Sequence, residues 1–125
     1  MNSAIQLVSI EKHNSILKLI MNDHKSKNAL SNKMIFALMN AISSACDDKS
    51  IKVIVIAANG NVFSAGHDLK EITEARESED KGDSFFKELF DSCSALMQTI
   101  VNSPKPVIAE INGVATAAGC QLVAS

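Results

Sequence analysis

The sequence has 125 residues, of which 46% are hydrophobic and 21% charged, and its formal net charge is −2. These values fit one soluble globular domain with a modest core, and the scattered lysines with a single arginine, Arg76, exclude a nucleic-acid-binding footprint. No apolar run approaches the roughly 20 residues that span a bilayer, and no signal or transit peptide is recognisable, which predicts the cytoplasm, or the mitochondrial matrix if an N-terminal extension is missing.

The first half of the sequence predicts a hairpin, a helix and a strand. Ala4–Ile10 and Ser15–Ile20 alternate apolar and polar residues and are predicted to pair as a β-hairpin. Ser31 is the expected N-cap of a helix over Asn32–Cys46, whose apolar residues recur on one face. The β-branched run Lys52–Ala57 predicts a strand covered on both faces.

The second half predicts two helices separated by a loop. Asp68 and Glu71 stand three positions apart, the spacing of a capping box, so a short helix is expected to begin at about Leu69. The densely charged segment Arg76–Asp83 is interpreted as a solvated, mobile loop. A longer helix is predicted over Ser84–Val101. Its expected core-facing stripe consists of Phe86, Leu89, Phe90, Cys93, Leu96, Met97 and Ile100.

The C-terminal residues predict a strand and a helix that lack a covering layer. Val107–Ile111 is expected to form a short strand, and Thr116 is expected to cap a final helix over Ala117–Ser125. Leu122 and Val123 of this helix are expected to have little to cover them. Because alternating strands and helices require a further layer, we expect the sequence to be the N-terminal part of a longer protein.

Two short stretches indicate chemistry on a carbonyl group. Asn61–Leu69 and Ile111–Leu122 each follow a strand-like run, cross glycines and small residues, and open onto a helix. Free N–H groups at two such helix starts, facing one another, would form an oxyanion hole. Cys120, in the second stretch, is expected to be a small buried residue instead of a reactive thiol. A phosphate-binding loop over Gly60–Gly66 is rejected because its glycines match neither GxGxxG nor GxxxxGK[ST].

Over essentially its whole length the sequence resembles the enoyl-CoA hydratase/isomerase family, also called the crotonase superfamily. The motifs that carry the resemblance are Asn28-Ala29-Leu30, Phe63-Ser-Ala-Gly-His-Asp-Leu-Lys70 and Pro104-Lys-Pro-Val-Ile-Ala-Glu-Ile-Asn-Gly113. Gly66-His67-Asp68 and Ala115–Ser125 look most like one subgroup of this family. The resemblance implies an α/β fold, a crotonase-like spiral of β-β-α repeats. Residues 1–125 would form the N-terminal part of that domain, truncated before its C-terminal helical region.

The resemblance also implies a ligand and a site. Family members bind acyl-CoA thioesters, need no metal or cofactor beyond the coenzyme A of the substrate, and form homotrimers or hexamers. The oxyanion donors would be the backbone N–H groups of His67 and Ala118, while the His67 ring is expected to pack or face solvent. The residues implied to cradle the CoA arm are Lys25, Lys27, Ala29, Ala65, Asp68, Leu69 and Lys70. Asp68 is also the expected N-cap of its helix.

Gln121 departs from the pattern of the water-adding members of the family. Those members carry a glutamate at this position, and an amide cannot act as a general acid or base. The second glutamate of the pair would lie about twenty residues further on, beyond Ser125. Two hypotheses follow: an acyl-CoA enzyme that uses the oxyanion hole for isomerisation, hydrolysis or decarboxylation, or a non-catalytic acyl-CoA-binding or regulatory protein.

Overall fold

A computed structural model describes residues 6–125, which form a four-stranded sheet, a two-stranded sheet and four α-helices. The strands are β1 (Val8–His13), β2 (Ile16–Met21), β3 (Val53–Ala58), β4 (Val62–Ser64), β5 (Val107–Ala109) and β6 (Val114–Ala115). The helices are α1 (Asn32–Asp47), α2 (Leu69–Arg76), α3 (Asp83–Val101) and α4 (Ala118–Ala124). The larger sheet has the order β1-β2-β3-β5, and β4 pairs with β6.

The predicted hairpin is confirmed, with β1 and β2 antiparallel and a turn at Asn14, whose φ is 56°. Pairing extends to His13, beyond the predicted strand end at Ile10, because a tight turn brings the two strands together immediately beside it. Ala4 and Ile5, at the start of the predicted first strand, lie outside the described residues.

The first helix and the central strand are also confirmed. The Ser31 hydroxyl caps α1 by accepting a hydrogen bond from the Met34 N–H at 3.1 Å. β3 lies between β2 and β5 and runs parallel to both. Its Ile54 side chain is fully buried in the main core, whereas Val53 and Val55 on the opposite face are only half-buried. The expectation of a strand covered on both faces is therefore wrong at Val53 and Val55, although Ala57 on the same face is buried.

Two strands were not predicted, β4 and β6. They pair in parallel, with Val62 opposite Val114 and Ser64 opposite Ala115. Strands this short carry no readable alternation of apolar and polar residues. Their pairing joins the two glycine-containing stretches that lead into α2 and α4.

The long helix α3 buries most of its predicted stripe. The confirmed core residues are Leu89, Cys93, Leu96, Met97 and Ile100. The assignment of Phe90 to the core is wrong, since 53% of this residue is exposed at the flank of the stripe. Burial raises the pKa of the Cys93 thiol, which keeps it protonated. Within residues 6–125, neither α3 nor any other helix is long and apolar enough to cross a membrane.

The charged segment between α2 and α3 forms hydrogen-bonded turns. Ser84 N–H donates to Asp80 Oδ2 at 3.0 Å, and Gly82 N–H donates to Asp80 Oδ1 at 3.0 Å. These bonds, led by those from Ser84, hold the pKa of the Asp80 carboxyl well below its usual range. Apart from the buried Gly82 the segment is exposed, as predicted, while its mobility stays a prediction.

The final helix is better covered than the sequence indicated. Leu122 is only 4% exposed and belongs to the main core, and Val123 is half-buried against it. The expectation for these two residues is therefore wrong. The exposed apolar residues near this end are instead Ile108, Ile111 and Val114, because β5 pairs on one side only and ends before Ile111.

Gly119 allows α4 to pack directly on β4. A Cβ at this position would overlap the Ser64 carbonyl oxygen and lie 2.8 Å from the Ser64 Cβ. We expect Gly119→Ala to lower the free energy of unfolding by about 1–3 kcal/mol, although alanine is the better helix former. Denaturant unfolding measures this, with Cys120→Ala on the exposed side of α4 as control. Equal stability of the two variants would contradict the close packing.

Candidate functional site

The structure brings the two predicted stretches into contact. Beside the β4–β6 pair, Thr116 N–H donates to the Ser64 carbonyl at 3.0 Å. Gly66, with φ 89°, lies against the start of α4. A Cβ on Gly66 would stand 3.0 Å from the Ala117 Cβ and 3.2 Å from the Ala118 nitrogen. Glycine is therefore required here both for its backbone conformation and for the close approach of the two stretches.

The first expected donor, the His67 N–H, has its direction set by the peptide to which it belongs. The Gly66 carbonyl of that peptide accepts a hydrogen bond from Leu30 N–H at 2.6 Å. Because a trans peptide is planar, the His67 N–H points to the side opposite Leu30. No hydrogen-bond acceptor for this N–H is found among residues 6–125.

The second expected donor, the Ala118 N–H, is the first of α4. The N-cap is Ala117, with φ 50° and ψ −126°, and not Thr116 as predicted. The Thr116 hydroxyl instead donates to the Ala65 carbonyl at 3.3 Å, across the two stretches. The Ala117 carbonyl accepts from Gln121 N–H at 3.1 Å, so the Ala118 N–H points out of the helix start. It too lacks an acceptor within the part of the chain that the structure describes.

Two unpaired N–H groups on adjoining segments offer a binding place for a partly negative oxygen. Each belongs to a segment that opens a helix, and Gly66, which directly precedes His67, lies against the start of α4. Such donors stabilise charge that develops on a carbonyl oxygen. Residues 6–125 contain no group of three or more His, Cys, Asp or Glu side chains placed to hold a metal ion.

The His67 ring packs against an aromatic pair on α3. Its centroid lies 5.6 Å from that of Phe90 in an edge-to-face arrangement, and Phe90 stacks on Phe86 at 6.2 Å. The His67 Nδ1 atom is buried, with no hydrogen-bond partner in the described residues. Phe90 thus contacts the site instead of the core. The four-residue spacing of Phe86 and Phe90 was visible in the sequence, but the position of His67 opposite them was not.

The residues expected to cradle the CoA arm lie on two adjoining segments. Ala65 N–H donates to the Lys27 carbonyl at 3.1 Å, which places the loop before α1 beside the first stretch. Ala29 is 3% exposed, so little of this residue is accessible to a ligand. The exposed members of the predicted set are Lys25, Lys27, Leu69 and Lys70. Asp68 caps α2 as expected, accepting from Lys70 N–H at 2.9 Å.

Gln121 and Cys120 lie on the exposed side of α4. Gln121 follows Ala118 by three positions, and its side chain makes no hydrogen bond within residues 6–125. The expectation that Cys120 is buried is wrong. The helix buries Ala118, Gly119 and Leu122, which leaves the residues between them on the outer face.

Glu71 does not complete the capping box predicted with Asp68. Its Oε1 accepts instead from the N–H of Asn32, the first residue of α1, at 3.3 Å. Burial raises the pKa of the Glu71 carboxyl, against the opposing effect of the Asn32 hydrogen bond. The sequence contained no signal for this partner because the two residues are far apart in the chain.

The sequence profile of the family described as "Enoyl-CoA hydratase/isomerase" matches residues 11–125. A Xenopus laevis relative, "Enoyl-CoA hydratase domain-containing protein 3, mitochondrial", is 45% identical over 119 residues, which cover 95% of this chain and 39% of the relative. The crystal structure of the human enoyl Coenzyme A hydratase domain-containing protein 3 is similar at 43% identity with a TM-score of 0.86, over 95% of this chain and 45% of that one.

A crystal structure of an enoyl-CoA hydratase from Mycobacterium smegmatis has 39% identity and a TM-score of 0.87, over 96% of this chain and 45% of that one. These likenesses confirm the predicted crotonase-like α/β fold and the predicted subgroup. The chain spans about two fifths of the length of the curated relative.

Proposed function

Because this chain belongs to the enoyl-CoA hydratase/isomerase family, we propose that it binds an acyl-CoA thioester and polarises the thioester carbonyl between the N–H groups of His67 and Ala118. The observation that supports the proposal is the pair of oriented peptides. Each N–H lacks an acceptor among residues 6–125, and the carbonyl of the same peptide is hydrogen-bonded in the opposite direction. Coenzyme A enters as part of the substrate, with no separate cofactor in the proposed binding step.

The CoA arm would lie along the loop before α1 and the start of α2. Ala29 lies in this loop, Ala65 lies beside it on the first stretch, and Asp68 and Leu69 begin α2 at the end of the path. The exposed lysines Lys25, Lys27 and Lys70 supply positive charge suited to the phosphates of the arm.

Gln121 separates the proposed function from hydration. It occupies the expected place of an acid–base glutamate, and an amide does not titrate and cannot act as a general acid or base. We therefore propose thioester polarisation without hydration by this chain. The second candidate is a non-catalytic acyl-CoA-binding or regulatory protein, which the same glutamine favours. The two candidate functions differ in whether the protein converts the bound thioester into a product.

Assembly and compartment are proposed from the family and the relatives. We propose a homotrimer or hexamer for the natural protein. The word "mitochondrial" in the name of the Xenopus laevis relative favours the mitochondrial matrix over the cytoplasm.

The proposed polarisation is tested by comparing butyryl-CoA with S-butyl-CoA, the thioether that lacks the carbonyl oxygen. We expect the natural protein to bind the thioester about tenfold more tightly, since two N–H donors each contribute a hydrogen bond only to the thioester. Isothermal titration calorimetry measures both affinities, and Raman spectra report the carbonyl stretch. Equal affinities with an unshifted carbonyl stretch would contradict the oxyanion hole.

A further inference from the structure

We infer that Glu71 is a positioning residue that holds the His67 N–H in place by tying the start of α2 to the start of α1. This inference rests on the proposed function and assigns a role to a side chain that does not itself contact the thioester. It concerns the segment between Gly66 and Glu71, which contains His67 and the N-cap Asp68.

Packing alone holds α2 weakly. The helix has eight residues and none of them is buried. Ile72 is the one α2 side chain partly buried against the main core among the described residues. A helix with so little buried apolar surface needs polar contacts to keep a fixed position.

Glu71 supplies such a contact. The bond from Asn32 N–H to its Oε1, at 3.3 Å, is the hydrogen bond that joins α2 to α1 in residues 6–125. A second bond, from Leu30 N–H to the Gly66 carbonyl at 2.6 Å, joins the segments just before the two helices. The two bonds bracket His67 on both sides along the chain. Rotation of the Gly66–His67 peptide would break the Leu30 bond, and the Glu71 bond limits the movement of the segment that follows this peptide.

The hydrogen-bond partner of Glu71 supports its role in joining α2 to α1. In a capping box Glu71 would accept from the N–H of Asp68, within its own helix and nearer to solvent. Glu71 instead accepts from the Asn32 N–H, although its carboxylate is then partly buried, near the like charges of Asp68 and Glu74. The Asn32 N–H at the start of α1 and the charge of Lys33 offset only part of the cost of that burial, and the pKa of Glu71 stays raised by burial.

The test uses butyryl-CoA and S-butyl-CoA on four variants of the natural protein. Glu71→Gln keeps an oxygen acceptor at the same reach, Glu71→Asp keeps the charge but shortens the reach, and Glu71→Ala removes both. Glu74→Ala removes an equal charge from the exposed side of α2 and is the control. Melting temperatures show that each variant is folded, and Glu71→Asp carries the test if Glu71→Ala does not fold.

We expect the preference for thioester over thioether to persist in Glu71→Gln and Glu74→Ala. It should fall about fivefold in Glu71→Asp and Glu71→Ala, with a smaller shift of the carbonyl stretch, while S-butyl-CoA affinity stays within about twofold. An equal loss of affinity for both ligands in the Glu71→Asp and Glu71→Ala variants would indicate that Glu71 only stabilises the fold. That result would overturn the inference. So would an unchanged preference in Glu71→Asp, or a loss in Glu74→Ala. If the unsubstituted protein shows no preference for the thioester over the thioether, the proposed oxyanion hole itself is contradicted, whatever the role of Glu71.

Discussion

Ala118→Pro is expected to abolish one of the two contacts to the thioester carbonyl while leaving the CoA arm bound. Proline has no N–H, and Ala118 is the first residue of α4, where proline is tolerated. Removing one oxyanion donor reduces a rate that depends on it by about 10²- to 10³-fold. The same loss should move the carbonyl stretch of bound butyryl-CoA towards its value in water.

S-butyl-CoA binding is the internal control for Ala118→Pro, because this thioether has the same CoA arm as butyryl-CoA but no carbonyl oxygen. Ala118→Gly, which retains the N–H, is the matched variant and should preserve the carbonyl shift. Ala117, with φ 50°, directly precedes the new proline, and a proline restricts the backbone of the residue before it. The melting temperatures of both variants are therefore measured to show that they are folded. An unchanged carbonyl shift in folded Ala118→Pro would rule out the Ala118 N–H as a donor.

Gln121→Glu is expected to introduce hydration activity into the natural protein when a second acidic residue follows Ser125 in its site. The new carboxylate would stand three positions after Ala118, on the exposed side of α4. A general base contributes about 10²- to 10⁴-fold when a second acidic group acts with it. Because the base must be deprotonated, crotonyl-CoA hydration should rise as the pH increases through the pKa of the new carboxyl.

Gln98→Glu on the exposed surface of α3 makes the same chemical change away from the site and should leave hydration unchanged. Hydration is followed by the absorbance of the enoyl thioester. Rapid hydration by the unsubstituted protein would show that Gln121 does not limit the reaction. Binding of crotonyl-CoA with no turnover in either form would favour the non-catalytic candidate.

The local parts of the fold were predictable because their signals are local. The hairpin, α1 and α3 follow from apolar periodicity, and the caps at Ser31 and Asp68 follow from single residues whose oxygen reaches the next turn. Thr116 met the same criterion and failed, because a hydroxyl that bonds across to Ala65 no longer caps its own helix.

The glycines and small residues of two stretches indicated two helix starts, where N–H groups lack internal partners, and the family resemblance assigned the proposed donors among them to His67 and Ala118. Only the tertiary structure decided how those groups are aimed. The Leu30–Gly66 bond, the β4–β6 pairing and the reach of Glu71 to Asn32 each join residues distant in the chain. The contact between Phe90 and the His67 ring could not be predicted for the same reason, because the two residues lie on different elements. Such contacts depend on how the elements pack in space, which no local pattern of residue types records.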